Sequence, residues 1–175
     1  MSARRAAVLA AITMGMFLLK RHYSIAPVED LRWILWPTSG LASLLSGATF
    51  EFEHGAGYLS RKRLFLIEKS CAGVNFMIAA LGMIGFGLSR EVSGWRRAAS
   101  IIVRSLALSY VAAVLVNAAR ILVAMRFASA DLASGWWTAA RIHRLEGIAV
   151  YFAGLLLLDL VARAFVPRRQ GAEAQ

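Results

Sequence analysis

The sequence predicts an all-α integral membrane protein with about five transmembrane or re-entrant helical segments and a short β-hairpin. Of its 175 residues, 59% are hydrophobic and only 17% are charged, whereas an ordinary soluble domain has roughly 45–50% and 25%. Long apolar runs recur along the chain, and one stretch between them alternates polar and apolar residues instead. This composition excludes a water-soluble enzyme, a disordered chain and a disulfide scaffold.

The apolar segments differ in how well they fit a membrane span. A helix needs about 20 residues to cross the hydrocarbon core, so the three later segments are long enough and the first is marginal. The second contains Pro37 and Gly40, and it is therefore either a kinked span or a re-entrant hairpin. The five segments are residues 6–19, 31–48, 71–88, 98–125 and 145–166.

The stretch between the second and third segments has a different periodicity. Apolar and charged residues alternate in 49–53, a glycine-containing bend follows at 54–57, and residues 58–69 have Arg61, Arg63, Phe65 and Ile67 at every second position. This pattern predicts a β-hairpin of two half-buried strands at the membrane surface. Because no long linker or repeat follows, we expect one polytopic domain over residues 1–169 and a short polar tail over 170–175.

The basic charge balance has a membrane explanation. The chain has 20 Lys and Arg residues against 10 Asp and Glu residues, a net charge of +10. Most of the basic residues flank apolar runs, where such residues anchor helix ends at lipid headgroups. The expected partner of this charge is therefore membrane lipid and not a nucleic acid.

The sequence predicts no metal site and no cofactor. Cys71 is the only cysteine, which excludes an intramolecular disulfide, a redox pair and a thiolate metal cage. The histidines at 22, 54 and 143 are far apart, and none belongs to an HExxH motif. No glycine-rich phosphate loop follows a predicted strand.

Cys71, Arg120 and His143 are predicted to lie at one depth. Each is separated by 19 to 23 residues from a basic boundary at the opposite end of its segment. At 1.5 Å per helical residue these separations are about 29–35 Å. Three antiparallel helices would therefore bring the three side chains to the same membrane face.

These residue types suit a thiol nucleophile. A cysteine at the amino-terminal end of a helix is favoured as a thiolate, and a nearby cation favours it further. His143 can act as base and acid, and Arg120 can stabilise an oxyanion. Asn117 lies three residues before Arg120, so it can orient the guanidinium from the same helical face.

Each of these residues also has a structural interpretation. A lone cysteine in a membrane helix usually packs against its apolar neighbours. An arginine near a helix end can extend its charged group to the membrane interface, and a histidine between two arginines, such as His143, is typical of a solvated turn. A non-catalytic membrane assembly or carrier subunit is therefore the alternative function. A rhomboid-like serine protease that pairs Ser39 with His143 is a third hypothesis.

Three short motifs resemble those of the exosortase/archaeosortase family, and the closest type is exosortase K. Residues 68–76 resemble its Cys motif, 117–121 its Arg motif and 143–147 its His motif. The order and spacing also agree, and the resemblance extends over about residues 33–151. Many members of the family have a serine after the cysteine, where this chain has Ala72.

The resemblance implies a membrane-embedded cysteine transpeptidase or protease that cleaves a C-terminal sorting signal through a thioester. Its partner would be the sorting-signal helix of an exported, membrane-tethered protein. Basic residues divide equally between the two sides, so the orientation rests on the family, which implies a bacterial inner (plasma) membrane and an extracytoplasmic site. The implied catalytic residues are Cys71, Arg120 and His143, supported by Gly73, Asn75, Asn117, Glu146 and Gly147.

Overall fold

The computed structural model describes residues 2–129 and 138–165, which are mostly helical. The predicted polar tail, 170–175, lies outside the described residues. The elements in chain order are α1 (Ala3–Ile25), α2 (Arg32–Ser46), β1 (Glu51–Glu53), β2 (Gly57–Ser60), β3 (Phe65–Ile67), α3 (Val74–Leu88), α4 (Trp95–Ser129) and α5 (Ala139–Phe165). Each predicted apolar segment thus corresponds to one helix.

Three segments of the described chain are long and apolar enough to cross a membrane. They are Lys69–Glu91, Trp95–Phe127 and Arg141–Ala162, and they contain α3, most of α4 and most of α5. The helix α2 has only 15 residues, about 22 Å, which is shorter than a hydrocarbon core of about 30 Å. The structure therefore supports a helical membrane protein without establishing five spans.

The helix α3 lies between α1, α4 and α5. Its contact with α1 is close because Gly85 has no side chain: a Cβ atom there would lie 2.3 Å from Ile12 Cδ1. Gly82 faces Met16 in the same interface, where a Cβ atom would lie 3.1 Å from its terminal methyl. Small residues allow apolar helices to approach in this way.

A proline inside α2 creates a polar contact with α4. Pro37 has no backbone N–H, so it cannot bond the carbonyl of Trp33 one turn earlier. The Tyr110 hydroxyl donates a 2.8 Å hydrogen bond to that carbonyl, and the rings of Trp33 and Tyr110 stack at 5.9 Å. The freed backbone group is thereby satisfied, as helices in an apolar environment require.

The sheet is antiparallel in the order β1-β2-β3 and leads directly to Cys71. Tyr58 pairs with Phe52 on one side and with Ile67 on the other. Ile67 is fully buried in the same core cluster as Cys71. The sheet therefore packs one face against the end of the helical bundle at which Cys71 lies.

The prediction of two strands was wrong, because the expected second strand is divided in two. Residues 61–64 form a turn between β2 and β3, and Leu64 has a positive φ of 50°. Arg61, Lys62 and Arg63 are three consecutive charged residues, all exposed, which cannot alternate between a buried and a solvated face. The chain turns there and forms a third strand.

The first turn of the sheet is attached to the segment before α2. The Gly55 N–H donates a 2.7 Å hydrogen bond to Glu29 Oε1, and this bond holds the pKa of Glu29 below its usual range. His54 Nδ1 lies 3.8 Å from the same oxygen. The folded sheet therefore favours the ionised carboxylate of Glu29.

We expect Glu29→Gln to increase amide exchange at Gly55 at neutral pH. A lowered folded-state pKa means that the stabilisation is complete above the ordinary carboxyl pKa and is lost as the pH falls through the lowered value. Wild type and variant should therefore converge at acid pH in hydrogen-exchange mass spectrometry. Glu51→Gln, which makes the same charge change on β1, is the control. Equal exchange at Gly55 in all three proteins at neutral pH would contradict the role of Glu29.

Candidate functional site

The segments that carry Cys71, Arg120 and His143 meet at one end of the bundle. A series of side-chain contacts leads from the Cys71 carbonyl through Asn117 and Tyr151 to Arg120, and from there to His143. The members of this series come from the turn before α3, from α4 and from α5. We call these five residues the site cluster.

Cys71 lies in a 3₁₀ turn, Lys69–Cys71, rather than in the first turn of the α-helix as predicted. The helix α3 begins at Val74, because Gly73 has a left-handed backbone (φ +72°) that interrupts regular helix geometry. The Cys71 side chain is buried, and its Sγ atom lies 3.8 Å from Ser70 Oγ. The helix-dipole argument for a thiolate is weakened by this three-residue offset.

The turn that contains Cys71 is held by the end of α1. Lys69 Nζ donates a 2.6 Å hydrogen bond to the Ala26 carbonyl, which places a cation at the carboxyl end of a helix, where it is favoured. The Tyr23 hydroxyl donates a 3.3 Å hydrogen bond to the Lys69 carbonyl. Both the side chain and the backbone carbonyl of Lys69 are thus bonded to the end of α1, and these two bonds fix the backbone that leads to Cys71.

Asn117 joins the Cys71 backbone to the rest of the site cluster. Its side chain is fully buried, and its Nδ2 donates to the Cys71 carbonyl. A Cβ atom at Gly73 would lie 3.0 Å from Asn117 Cγ, so the glycine also makes room for the amide. Asn117 therefore fixes the position of the cysteine, in addition to the predicted role near Arg120.

Tyr151 is the member of the site cluster that the sequence analysis missed. Its hydroxyl donates a 2.8 Å hydrogen bond to Asn117 Oδ1 and accepts one of 3.2 Å from Arg120 Nη1. Asn117 thus orients Arg120 through Tyr151. The helical spacing could have identified it, because Tyr151 lies eight residues after His143 and four after Gly147, on the same face of α5.

Arg120 is held between Tyr151, His143 and the backbone of α5. Its Cζ atom lies 5.1 Å from the centre of the Tyr151 ring, and Nη2 lies 3.4 Å from His143 Nε2. A Cβ atom at Gly147 would lie 2.7 Å from Arg120 Nε. Gly147 is therefore the residue that allows the guanidinium to lie against α5.

His143 lies between Arg120 and a buried carboxylate. Its Nδ1 is 3.4 Å from Glu146 Oε2, and the two side chains are 45% and 3% exposed. This separation is within ion-pair range but too long for a strong hydrogen bond, and neither Glu146 oxygen has another partner among the described residues. The carboxylate favours a proton on Nδ1, which leaves Nε2 as the proton acceptor beside Arg120.

Two residues considered in the sequence analysis do not join the site cluster. Asn75 is exposed, and its Oδ1 accepts a 2.9 Å hydrogen bond from Lys20 Nζ of α1. Ser39 is buried in α2, where its hydroxyl donates to the Trp36 carbonyl. The remaining predicted supporting residues, Gly73, Asn117, Glu146 and Gly147, all contact the site cluster or belong to it.

No group of three His, Cys, Asp or Glu side chains within residues 2–129 and 138–165 could hold a metal ion. The chemistry available in the described site comes from a thiol, an imidazole, a carboxylate, a phenol and a guanidinium. No family model, curated protein or solved structure matches the chain.

We expect Gly147→Ala to destabilise the protein by about 1–3 kcal/mol, because the added methyl group overlaps Arg120 Nε and overpacking costs this much. Thermal unfolding in detergent measures the change. Gly87→Ala is the matched control, since Gly87 is also in a helix and a Cβ atom there would meet nothing within 4 Å. The control should change stability by less than about 1 kcal/mol.

The cost of Gly147→Ala should shrink in an Arg120→Ala background, where no guanidinium opposes the methyl group. An unchanged cost in that background would show that the methyl group conflicts with something other than Arg120.

Proposed function

We propose that the protein is a membrane-embedded cysteine transpeptidase or protease of the exosortase type, which cleaves a C-terminal sorting signal through a thioester on Cys71. The observation that carries this proposal is the site cluster, which joins the Cys71 backbone to Arg120 and His143 through the buried Asn117 and the partly buried Tyr151. A nucleophile, a base and a cation gathered in this way are the groups that acyl transfer needs.

In the first step, the Cys71 thiol gives its proton to His143 and its sulfur attacks the scissile carbonyl carbon. The carbonyl electrons move to oxygen, and the guanidinium of Arg120 stabilises this oxyanion. The oxyanion then collapses, the C–N bond breaks, and His143 gives the proton to the departing amine. The products of this step are a free amine and a thioester on Cys71.

In the second step, an acceptor attacks the thioester. His143 takes the proton from the acceptor, which is water in hydrolysis or an amine in transpeptidation, and then returns it to the Cys71 sulfur as the C–S bond breaks. The thiol and the neutral imidazole are thereby regenerated. Side chains of the chain carry every proton in this cycle, so the proposed reaction needs no cofactor.

Glu146 supports the base in this proposal. A carboxylate near Nδ1 fixes the tautomer in which Nε2 accepts protons, and it stabilises the imidazolium that forms when Cys71 is deprotonated. Glu146 is buried and His143 is about half exposed, so the carboxylate holds the inner side of the ring. We propose that the substrate reaches the site from the exposed side of His143.

The membrane placement is part of the proposal. We propose that α3, α4 and α5 span a bacterial inner membrane, with the site cluster and the sheet on the extracytoplasmic side. We propose further that α2 enters the membrane without crossing it, since it has 15 residues and an internal Pro37. The substrate would then be a membrane-tethered protein whose sorting-signal helix lies beside these helices.

We expect Cys71→Ala and Cys71→Ser to abolish processing, because a serine hydroxyl without a strong base is a poor nucleophile. Arg120→Lys should lower the rate about 100-fold, since lysine lacks the planar fork of donors. His143→Ala should also cost about 100-fold or more. The measurement is cleavage of a membrane-tethered substrate, together with mass spectrometry of peptides attached to Cys71.

Arg104→Lys is the control for the arginine. Arg104 is an exposed residue of the same helix, and its separation of 16 positions from Arg120 places it about 24 Å away along α4. The Arg104→Lys variant should cleave the substrate at the wild-type rate when its expression and membrane insertion match those of wild type. Normal processing by Cys71→Ala, or equal losses for Arg104→Lys and Arg120→Lys, would favour the non-catalytic assembly or carrier subunit.

The two asparagines of the motifs should behave differently. Asn117→Ala should lower the processing rate strongly, because it removes the amide that joins the Cys71 carbonyl to Tyr151. Asn75→Ala should have little effect, because that side chain bonds Lys20 outside the site cluster. If both variants fold but Asn75→Ala lowers the processing rate strongly and Asn117→Ala does not, the arrangement proposed for the site is wrong.

A further inference from the structure

A groove of about 550 Å³ lies on a different side of α4 from the site cluster. It opens between the end of α2, the β2–β3 turn with β3, and the last turns of α4. Its polar lining includes Arg63 and Arg126, and its apolar lining includes Leu45, Phe65, Leu122 and Val123. The volume is in the range of a small-ligand site.

The groove is separate from the proposed reaction centre. Arg120 points towards α5, where it contacts Tyr151 and lies against Gly147. Leu122 and Arg126 of the groove lining follow Arg120 by two and six residues, which are rotations of about 200° and 240° around a helix with 3.6 residues per turn. They therefore lie on the side of α4 away from Arg120, and no residue of the site cluster lines the groove.

Among the described residues, the charged groups that line the groove are two guanidinium groups, those of Arg63 and Arg126. Arg63 has no hydrogen-bond or ion-pair partner within the described part of the chain, and its side chain is exposed. A guanidinium presents a planar fork of donors that matches two oxygens of a phosphate group. The groove is therefore complementary to an anion, and a phosphate ester fits its donors.

The apolar residues of the groove indicate that the phosphate ester is a phospholipid. Leu122 and Val123 lie within the apolar span that ends at Phe127, so they are at the depth of the upper acyl chains if α4 crosses a bilayer. Arg63 lies in the turn between β2 and β3, outside the three apolar spans. The lining thus combines two guanidinium groups with apolar side chains of a helix that we propose crosses the bilayer, as a phospholipid combines a phosphate headgroup with acyl chains.

We propose that this groove binds the headgroup of an anionic phospholipid, with Arg63 and Arg126 against the phosphate and the start of an acyl chain along Leu122 and Val123. The inference depends on the membrane placement proposed above and not on the reaction. Bound lipid would also fix Phe65 and β3, the strand from which the chain continues to Cys71.

The test measures binding of phosphatidylglycerol to the full chain in neutral detergent, by native mass spectrometry and by the shift in thermal unfolding temperature. Phosphatidylcholine, inorganic phosphate and polyglutamate are the comparison ligands. Phosphatidylglycerol should stabilise the protein most, because it alone combines a net negative charge with acyl chains. Equal stabilisation by inorganic phosphate or by polyglutamate would overturn the lipid assignment in favour of a free anion or an acidic peptide.

Arg63→Gln should weaken phosphatidylglycerol binding about tenfold, which corresponds to the loss of one charge-assisted hydrogen bond. Arg61→Gln removes the same charge from the same turn but does not line the groove, so its affinity should stay within about twofold of wild type. If both variants weaken phosphatidylglycerol binding equally, general charge attraction explains the effect and the proposed binding site is wrong. Should Arg63→Gln not fold, Arg63→Lys keeps the charge without the fork and must also weaken binding relative to Arg61→Lys.

Discussion

The pairing of one buried amide determines how the end of this bundle is assembled. Asn117 is fully buried, and an unpaired amide in an apolar interior would cost several kcal/mol. Both ends of the amide are used, one by the Cys71 carbonyl and the other by the Tyr151 hydroxyl. These two bonds connect the turn before α3 with Asn117 of α4 and Tyr151 of α5. The absence of a side chain at Gly73 is a condition for this geometry, because a Cβ atom there would press against the amide.

The surrounding elements support that end of the bundle through other polar contacts with the backbone. Lys69 satisfies a carbonyl at the end of α1, and Tyr110 satisfies the carbonyl that Pro37 leaves free in α2. Each contact places a side chain from one element on an unpaired backbone group of another. In an apolar environment such groups have no water as a substitute partner. The peripheral helices are thus oriented relative to α3 and α4 by backbone groups that need partners.

The site cluster has side chains that are held by interior contacts and one side chain, His143, that is accessible. Asn117 and Tyr151 hold Arg120 from the interior, and Glu146 holds the inner side of the His143 ring. Only His143 is about half exposed. A buried carboxylate and a cation close to one imidazole provide opposing electrostatic influences, and such an arrangement suits a group that takes up and releases a proton. This is the physical basis on which we prefer a catalytic proposal over a packing role for these residues.

The sequence by itself determined the helical class, the five helical segments and the height of Cys71, Arg120 and His143 along their helices. Height follows from counting residues, because the rise per residue of a helix is constant. Only the tertiary structure decided which side chains touch. Asn75 bonds Lys20 of α1 and Tyr151 enters the site cluster, because these contacts depend on the rotation of each helix about its axis and on which neighbour it meets. The start of α3 at Val74 and the third strand were likewise decided by the backbone of Gly73 and by the turn at 61–64, which the apolar periodicity does not encode.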